Sequence, residues 1–135
     1  MNKELSGGCC CQQVKFTLED NFQQFYFCHC EQCRKLTGTA HAANLFTSPD
    51  NIEWLAGQEL TVRYDDPDRT FSKVFCRHCG SGLPFLTQNG RWLIVPAGSL
   101  DSAPSKMLDA EIFYHERATW HEDVTKVRTF EGFPD

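Results

Sequence analysis

Cysteine is the residue type whose number and spacing in this sequence point to chemistry. The chain has eight cysteines, which fall into three short groups: a run at 9–11, a Cys-x-Cys-x-x-Cys motif at 28–33 and a Cys-x-x-Cys-Gly motif at 76–80. Closely spaced thiolates of this kind are typical zinc ligands. Disulfide-stabilised domains instead spread their cysteines so that each pair joins distant loops. The grouping therefore favours metal binding.

The first predicted metal site combines the first group with the last. If residues 9–11 form a strand, the alternation of side chains places the sulfurs of Cys9 and Cys11 on one face and that of Cys10 on the other. Cys10 is then a small filler of the core or the surface. The last group would add two thiolates from a zinc knuckle, and a site with four thiolates is closed and structural. The predicted ligands are Cys9, Cys11, Cys76 and Cys79.

The second predicted metal site is the middle motif, which follows an apolar strand and leads into a helical turn. Its ligands, Cys28, Cys30 and Cys33, would leave a fourth position open, as a catalytic zinc requires. Three thiolates give the site a net charge of about −1, so the metal is better suited to holding a substrate thiol as a nucleophilic thiolate than to polarising a carbonyl. Arg34 and Lys35 are candidates for steering a carboxylate-bearing thiol into the site.

Three other interpretations of the cysteines stay open. The thiols could be inert buried side chains, could form two disulfides with free thiols left over, or could bind one zinc while the middle group serves as redox thiols. Among the histidines, His29 and His78 stand between cysteines and are expected to donate hydrogen bonds near a metal. His41, His115 and His121 have no partner at ligand spacing and are expected at the surface or as hydrogen-bonded core residues.

Short strands separated by turns dominate the chain. Apolar or alternating segments are bounded by turn-forming clusters such as 48–51 and 65–68. One helical segment, 31–37, ends at Gly38, and no ten-residue helical pattern occurs. The fold class is therefore predicted to be mainly β with short helical turns. The predicted strands are 13–18, 24–27, 42–46, 60–64, 70–75, 83–86 and 91–95.

Length and composition indicate a single domain, 1–135, of an ordinary globular protein. Of the 135 residues, 41% are hydrophobic and 23% are charged, and the formal net charge is −5. The acidic balance disfavours nucleic acid as a partner, and with it a zinc-ribbon interpretation. No apolar run approaches the ~18 residues of a membrane helix, and no apolar signal segment is visible at the N-terminus. We therefore expect no membrane partner and a cytoplasmic protein with reduced thiols.

The most specific stretch of the sequence is Cys-His-Cys-x-x-Cys-Arg-x-x-x-Gly, which starts at Cys28. Together with segments 8–11, 14–16, 76–83, 97–101 and 118–120, this stretch resembles the glutathione-dependent formaldehyde-activating enzyme family, which includes centromere protein V. The resemblance covers roughly residues 7–121. Gln12 stands where the family usually has a glycine.

The resemblance implies a β-tent of stacked antiparallel sheets built around two zinc ions. It implies a structural zinc at the first cysteine site and a catalytic zinc at the second. The implied activity is condensation of glutathione with formaldehyde to S-hydroxymethylglutathione, formally a carbon–sulfur lyase reaction in reverse. The expected partners are thus a small thiol such as glutathione and an aldehyde. The alternative is a non-catalytic, zinc-stabilised interaction module, similar to the nucleotide-exchange and centromere relatives of this fold.

Overall fold

The structure, a computed structural model, describes residues 3–134. Within that range the chain is mainly β, with three sheets, one α-helix and several short 3-10 helices, so the fold class is confirmed at this level. In chain order the elements are β1 (Glu4–Gly8), β2 (Lys15–Glu19), β3 (Gln24–Cys28), α1 (Glu31–Thr37), β4 (Ala42–Thr47), β5 (Glu53–Ala56), a 3-10 helix (Gln58–Leu60), β6 (Thr61–Asp65), β7 (Ser72–Cys76), β8 (Gly82–Leu83), β9 (Phe85–Leu86), β10 (Leu93–Pro96), and, after a 3-10 helix (Ala97–Ser99), β11 (Ala110–Ile112) and two 3-10 helices (Tyr114–Glu116 and Thr119–Lys126).

The predicted strands and helix are found within two residues of their expected ends. The segment predicted as one strand over 83–86 is divided into β8 and β9 at Pro84, which has no amide proton for a strand ladder. Three short strands, β1, β5 and β11, were not predicted. The strand expected across residues 9–11 is wrong, because β1 ends at Gly8 and the cysteines lie in the turn that follows it.

The first sheet positions that turn. Its strand order is β1-β2-β5, and both pairings are antiparallel. At Gly7 of β1, an added Cβ would lie 2.5 Å from the ring of Phe16 and 2.5 Å from the carbonyl oxygen of Ser99. The absence of a side chain at Gly7 therefore allows β1 to pack closely against its neighbours, next to the first cysteines.

The second sheet carries the middle cysteine motif at one strand end. Its order is β11-β3-β4-β10-β9, and β11 pairs with β3 in parallel, unlike the antiparallel arrangement expected throughout. The register places Glu111 beside Phe27 and Ile112 beside Cys28. This pairing brings the C-terminal part of the chain to the cysteine end of β3.

The third sheet has the order β6-β7-β8, and β7 ends at Cys76.

The main core lies between the sheets and contains the fully buried side chains of Phe16, Leu45, Leu83 and Val95. Cys9 and Cys76 belong to this core, whereas Cys28 and Cys33 form a smaller one with Ala42. Among residues 3–134, no helix is long and apolar enough to cross a membrane.

Candidate metal centres

The first cysteine cluster joins the turn after β1 to the end of β7. In the turn, the amide of Gln12 donates to the carbonyl oxygen of Cys9 at 3.0 Å, and the amide of Cys9 donates to that of Val14 at 3.1 Å. The turn brings the Sγ atoms of Cys9 and Cys11 to 3.4 Å. The Sγ atom of Cys11 lies 3.9 Å from that of Cys76. Residues far apart in sequence thus present sulfurs to one point.

The Cys-x-x-Cys motif folds into a tight turn that completes this cluster. The amide of Gly80 donates to the carbonyl oxygen of Cys76 at 2.7 Å, and Gly80 has a φ of +77°, which glycine adopts without strain. The hydroxyl of Ser81 lies 3.2 Å from the Sγ atom of Cys79 and accepts the amide of Cys10 at 2.9 Å. Ser81 therefore links the two halves of the cluster, while the exposed Cys10 lies outside it.

The geometry of the first cluster suits a tetrahedral metal better than disulfides. Its four sulfurs all lie within 4.8 Å of one another. Sulfurs held about 2.3 Å from one zinc in a tetrahedron are about 3.8 Å apart, whereas a disulfide needs about 2.05 Å. A hydrogen bond with Ser81 also lowers the pKa of Cys79 to about 5, which favours the thiolate that binds metal. The residues of this group, which could together hold one metal ion, are Cys9, Cys11, Cys76 and Cys79.

The second cluster is built by the end of β3 and the first turn of α1. Cys28 is the last residue of β3, Cys30 is the N-cap of the helix and Cys33 lies within its first turn. The Sγ atoms of Cys28 and Cys30 are 3.4 Å apart, and the sulfur of Cys30 accepts the amide of Cys33 at 3.3 Å. The three sulfurs lie within 4.8 Å of one another, so this group could also hold a metal ion.

The thiols of the second cluster differ in acidity. Hydrogen bonds within the cluster, the largest of them with Cys33, lower the pKa of Cys28 to about 6. The same hydrogen bond and burial raise the pKa of Cys33, and burial raises that of Cys30. A metal that binds all three sulfurs as thiolates would displace the protons that Cys30 and Cys33 retain.

A cavity of about 520 Å³ opens beside the second cluster and is lined by Cys28 and Cys30. Its walls are largely aromatic and apolar, and include Phe46, Phe71 and Phe85. Amide side chains and two charged groups, Arg69 and Glu116, interrupt this surface. The cluster thus faces a space large enough for a small organic molecule.

The two cations predicted to steer a substrate do not line this cavity. Lys35 is exposed, and Arg34 is half-buried, with an Nε atom that has no hydrogen-bond partner among the described residues. The cation at the cavity is Arg69, whose Nε atom lies 3.9 Å from a carboxylate oxygen of Asp66. Arg69 follows an acidic turn that looks like an ordinary solvated loop in sequence, so the sequence held no signal for it.

A third group of candidate ligands was not predicted. His29, Glu111 and His121 present one donor atom each, and these atoms lie within 4.8 Å of one another. The expectation that His29 forms a hydrogen bond beside a cysteine cluster agrees with its 2.9 Å contact between Nε2 and Glu111 Oε1. Glu111 and His121 are 82 and 92 residues away along the chain from His29, so spacing alone could not reveal the group.

Comparisons with known proteins agree with the fold and the cysteine motifs. The structure resembles the crystal structure of a Rhodobacter sphaeroides protein with a TM-score of 0.62 and 20% sequence identity, over 78% of this chain and 98% of that one. At that identity the likeness shows the fold alone. No curated protein sequence matches this chain significantly. Residues 4–116, however, match the family described as "Glutathione-dependent formaldehyde-activating enzyme". The chain, which carries the cysteine motifs within that match, therefore belongs to the glutathione-dependent formaldehyde-activating enzyme family.

Proposed function

We propose that this protein is a zinc-dependent carbon–sulfur lyase that acts on thiol–aldehyde adducts, condensing a small thiol such as glutathione with formaldehyde. One observation carries the proposal: two of the three thiols of the second cluster, Cys28 and Cys30, line a cavity of about 520 Å³. A thiol that enters the cavity meets the cluster directly. The family name supplies the substrate class, since it couples glutathione to formaldehyde.

We propose zinc at both cysteine clusters, with a structural role at the first and a catalytic role at the second. The first group offers four sulfurs, which complete a tetrahedron, and the second offers three among the described residues. Zinc held by Cys28, Cys30 and Cys33 would leave a position for substrate and would keep a bound thiol deprotonated.

The reaction balances without an oxidant or a reductant. The sulfur of the thiol attacks the aldehyde carbon, a carbon–sulfur bond forms, and the π electrons of the carbonyl group move to its oxygen. That oxygen takes up one proton, which replaces the proton that the thiol lost. The product is a hemithioacetal, in which the sulfur carries a hydroxymethyl group. Its cleavage back to thiol and aldehyde is the lyase direction of the same reaction. A nucleophilic thiolate is therefore the one activated species that the site has to supply.

The residues of the cavity would orient the thiol and exclude water from it. Phe46, Phe71 and Phe85 give the cavity apolar walls, and a low-polarity setting would strengthen the attraction between a thiolate and the metal ion that the cluster would hold. We assign recognition of a substrate carboxylate to Arg69, because a guanidinium can bind a carboxylate through two hydrogen bonds. Arg34 and Lys35, which lie off the cavity, would act at longer range by attracting an anionic thiol.

A non-catalytic interaction module would need a closed second cluster. Within residues 3–134, no fourth cysteine, histidine or carboxylate joins the group of Cys28, Cys30 and Cys33. The ring of His29, the nearest candidate in sequence, is held by Glu111 instead. These contacts support the enzyme.

We also propose a cytoplasmic location, which the free state of all eight described cysteines supports.

The test is exchange between ¹³C-formaldehyde and its glutathione adduct, measured by NMR with the zinc-loaded protein. The wild-type protein is expected to accelerate exchange over the uncatalysed rate, and Cys28→Ser is expected to abolish the acceleration. Cys10→Ser is the matched control, because Cys10 is exposed and lies outside both clusters. Uncatalysed rates with wild-type protein, for glutathione and for other small thiols, would contradict the proposal.

A further inference from the structure

Three polar side chains from separate parts of the chain meet next to the second cysteine cluster. His29 lies in the loop between β3 and α1, Glu111 is the central residue of β11, and His121 lies in the 3-10 helix Thr119–Lys126. The parallel pairing of β11 with β3 places Glu111 beside the strand end, and the amide of His29 donates to the carbonyl oxygen of Ile112 at 3.0 Å. The backbone therefore fixes two of the three residues relative to each other.

The distances between the donor atoms fit a common cation. Nε2 of His29 lies 2.9 Å from Oε1 of Glu111, and Nε2 of His121 lies 3.7 Å from the same oxygen. Two donors about 2.1 Å from one ion are about 3.0 Å apart at a right angle and about 3.4 Å apart in a tetrahedron. Both separations are thus within a few tenths of an ångström of the distance expected between two donor atoms bound to the same ion.

The ring of His29 is enclosed by protein and is oriented by its contact with Glu111. Its side chain is fully buried, and its Nδ1 atom has no hydrogen-bond partner among the described residues. Its ring lies 4.9 Å from that of His121, 5.1 Å from that of His41 and 5.2 Å from that of Tyr114, measured between centroids. Among the described contacts of His29 the charged partner is the carboxylate of Glu111, whereas Arg117 lies over the ring of Tyr114, 4.3 Å from its centroid, and pairs with Glu122.

We propose that His29, Glu111 and His121 form a third metal site, separate from both cysteine clusters, for a divalent cation of the zinc or iron(II) type. Two imidazoles and one carboxylate are a donor set that such cations accept. None of the three residues lines the cavity beside the cysteines. The site would tie the C-terminal 3-10 helix to β3 and β11, and it does not rest on the proposed enzymatic function.

The test counts cobalt(II) bound per chain and records the absorption of the bound metal. Cobalt at the cysteine clusters gives thiolate-to-metal charge-transfer absorption, whereas cobalt bound by nitrogen and oxygen does not. The variants are Glu111→Gln, which preserves the size and a hydrogen-bonding group of the side chain, and His121→Ala. His115→Ala is the matched control, since His115 is a largely exposed histidine of the same region.

We expect Glu111→Gln and His121→Ala each to bind one cobalt ion fewer per chain than the wild-type protein, with unchanged charge-transfer absorption. His115→Ala should bind as many as the wild type. Equal cobalt content in the wild type and both variants would overturn the proposal. Loss of charge-transfer absorption in Glu111→Gln would also overturn it, because the residue would then support a cysteine cluster or the fold rather than a separate ion. Enzymatic activity enters neither outcome.

Discussion

The sulfur of Cys30 accepts a hydrogen bond from the backbone amide of Cys33 at 3.3 Å. Cys30 is the N-cap of α1, with an extended backbone (φ −64°, ψ 153°), so one side chain both starts the helix and belongs to the second cluster. The helix therefore begins where the ligand group is assembled, and the position of Cys33 relative to Cys30 is set by the first helical turn.

Substitutions of Cys30 should separate these two roles. Cys30→Ser replaces the sulfur with an oxygen that caps helices well but is a far poorer zinc ligand than a thiolate. We expect this variant to lose one metal ion per chain. Cys30→Ala should lose the same ion and, in the metal-free protein, be less stable than Cys30→Ser by about 0.5–2 kcal/mol. Metal analysis and urea unfolding of the two variants without metal measure both effects. Equal stability of the two would show that a capping side chain at position 30 does not stabilise the helix.

The two cysteine clusters should differ in what their loss does to the fold. Cys79→Ser opens the group that ties the turn after β1 to the end of β7, so much of the ~10–16 kcal/mol that zinc contributes in small peptides should be lost. We expect insoluble or strongly destabilised protein. Cys33→Ser should stay folded, lose one zinc and lose activity. Thermal melting with metal analysis compares them directly, and equal destabilisation would mean that both metals are structural.

Gln12 adopts a left-handed backbone conformation that residues with a side chain rarely adopt. Its φ of +66° is left-handed, which costs an L-residue roughly 1–2 kcal/mol. Glycine would avoid this cost, but it would also raise the conformational entropy of the unfolded chain, which cancels part of the gain. We expect Gln12→Gly to raise the free energy of unfolding by about 0.5–1 kcal/mol. Gln13→Gly is the control, because the neighbouring Gln13 lacks a positive φ. A stabilisation by both substitutions, or by neither, would contradict this explanation.

The acidity of the second cluster predicts a pH-dependent release of protons when metal binds. Because the pKa of Cys28 is lowered to about 6 and those of Cys30 and Cys33 are raised, the metal-free cluster carries about one thiolate at pH 7.5 and about none at pH 5. Binding through three thiolates should then release about two protons at pH 7.5 and about three at pH 5. A pH indicator measures the number of protons released when metal is added. Subtracting the release by Cys28→Ser from that by the wild type gives the contribution of the second cluster. Equal release at both pH values would show that Cys28 is not the acidic thiol.

Local pattern was sufficient to predict most of what lies close together in sequence. The helix over 31–37 was predicted from its glycine stop, and Gly38 does adopt a left-handed φ of +67° with its amide bonded to Arg34. The sulfurs within each cysteine group also converge as predicted, because ligand spacing within a group is a local property of the chain, whereas the prediction that the first group joins the last rested on the four thiolates that a closed zinc site needs. Cys9 and Cys11 converge as expected, although they do so in a turn rather than on a strand.

Features that depend on tertiary packing could not be predicted. β11 is a three-residue strand, and its pairing with β3 is decided by the sheet rather than by its own residues. The meeting of Glu111 and His121 with His29 follows from that pairing. The same holds for Arg69, which lines the cavity together with Cys28 and Cys30 and whose loop contacts α1 through the hydrogen bond from Gln32 to Asp66.

The central claim is that a metal at the second cluster has a position open to a thiol from the cavity. Cadmium-113 NMR tests it most directly, because the resonance of each ion reports the number of its thiolate ligands. We expect the cadmium-loaded protein to show two thiolate-type resonances, of which Cys28→Ser lacks one. Addition of glutathione should move that resonance toward the position of a four-thiolate site and leave the other unchanged. If neither resonance moves when glutathione is in excess, or if both move alike, the second cluster is not an open thiol-binding site.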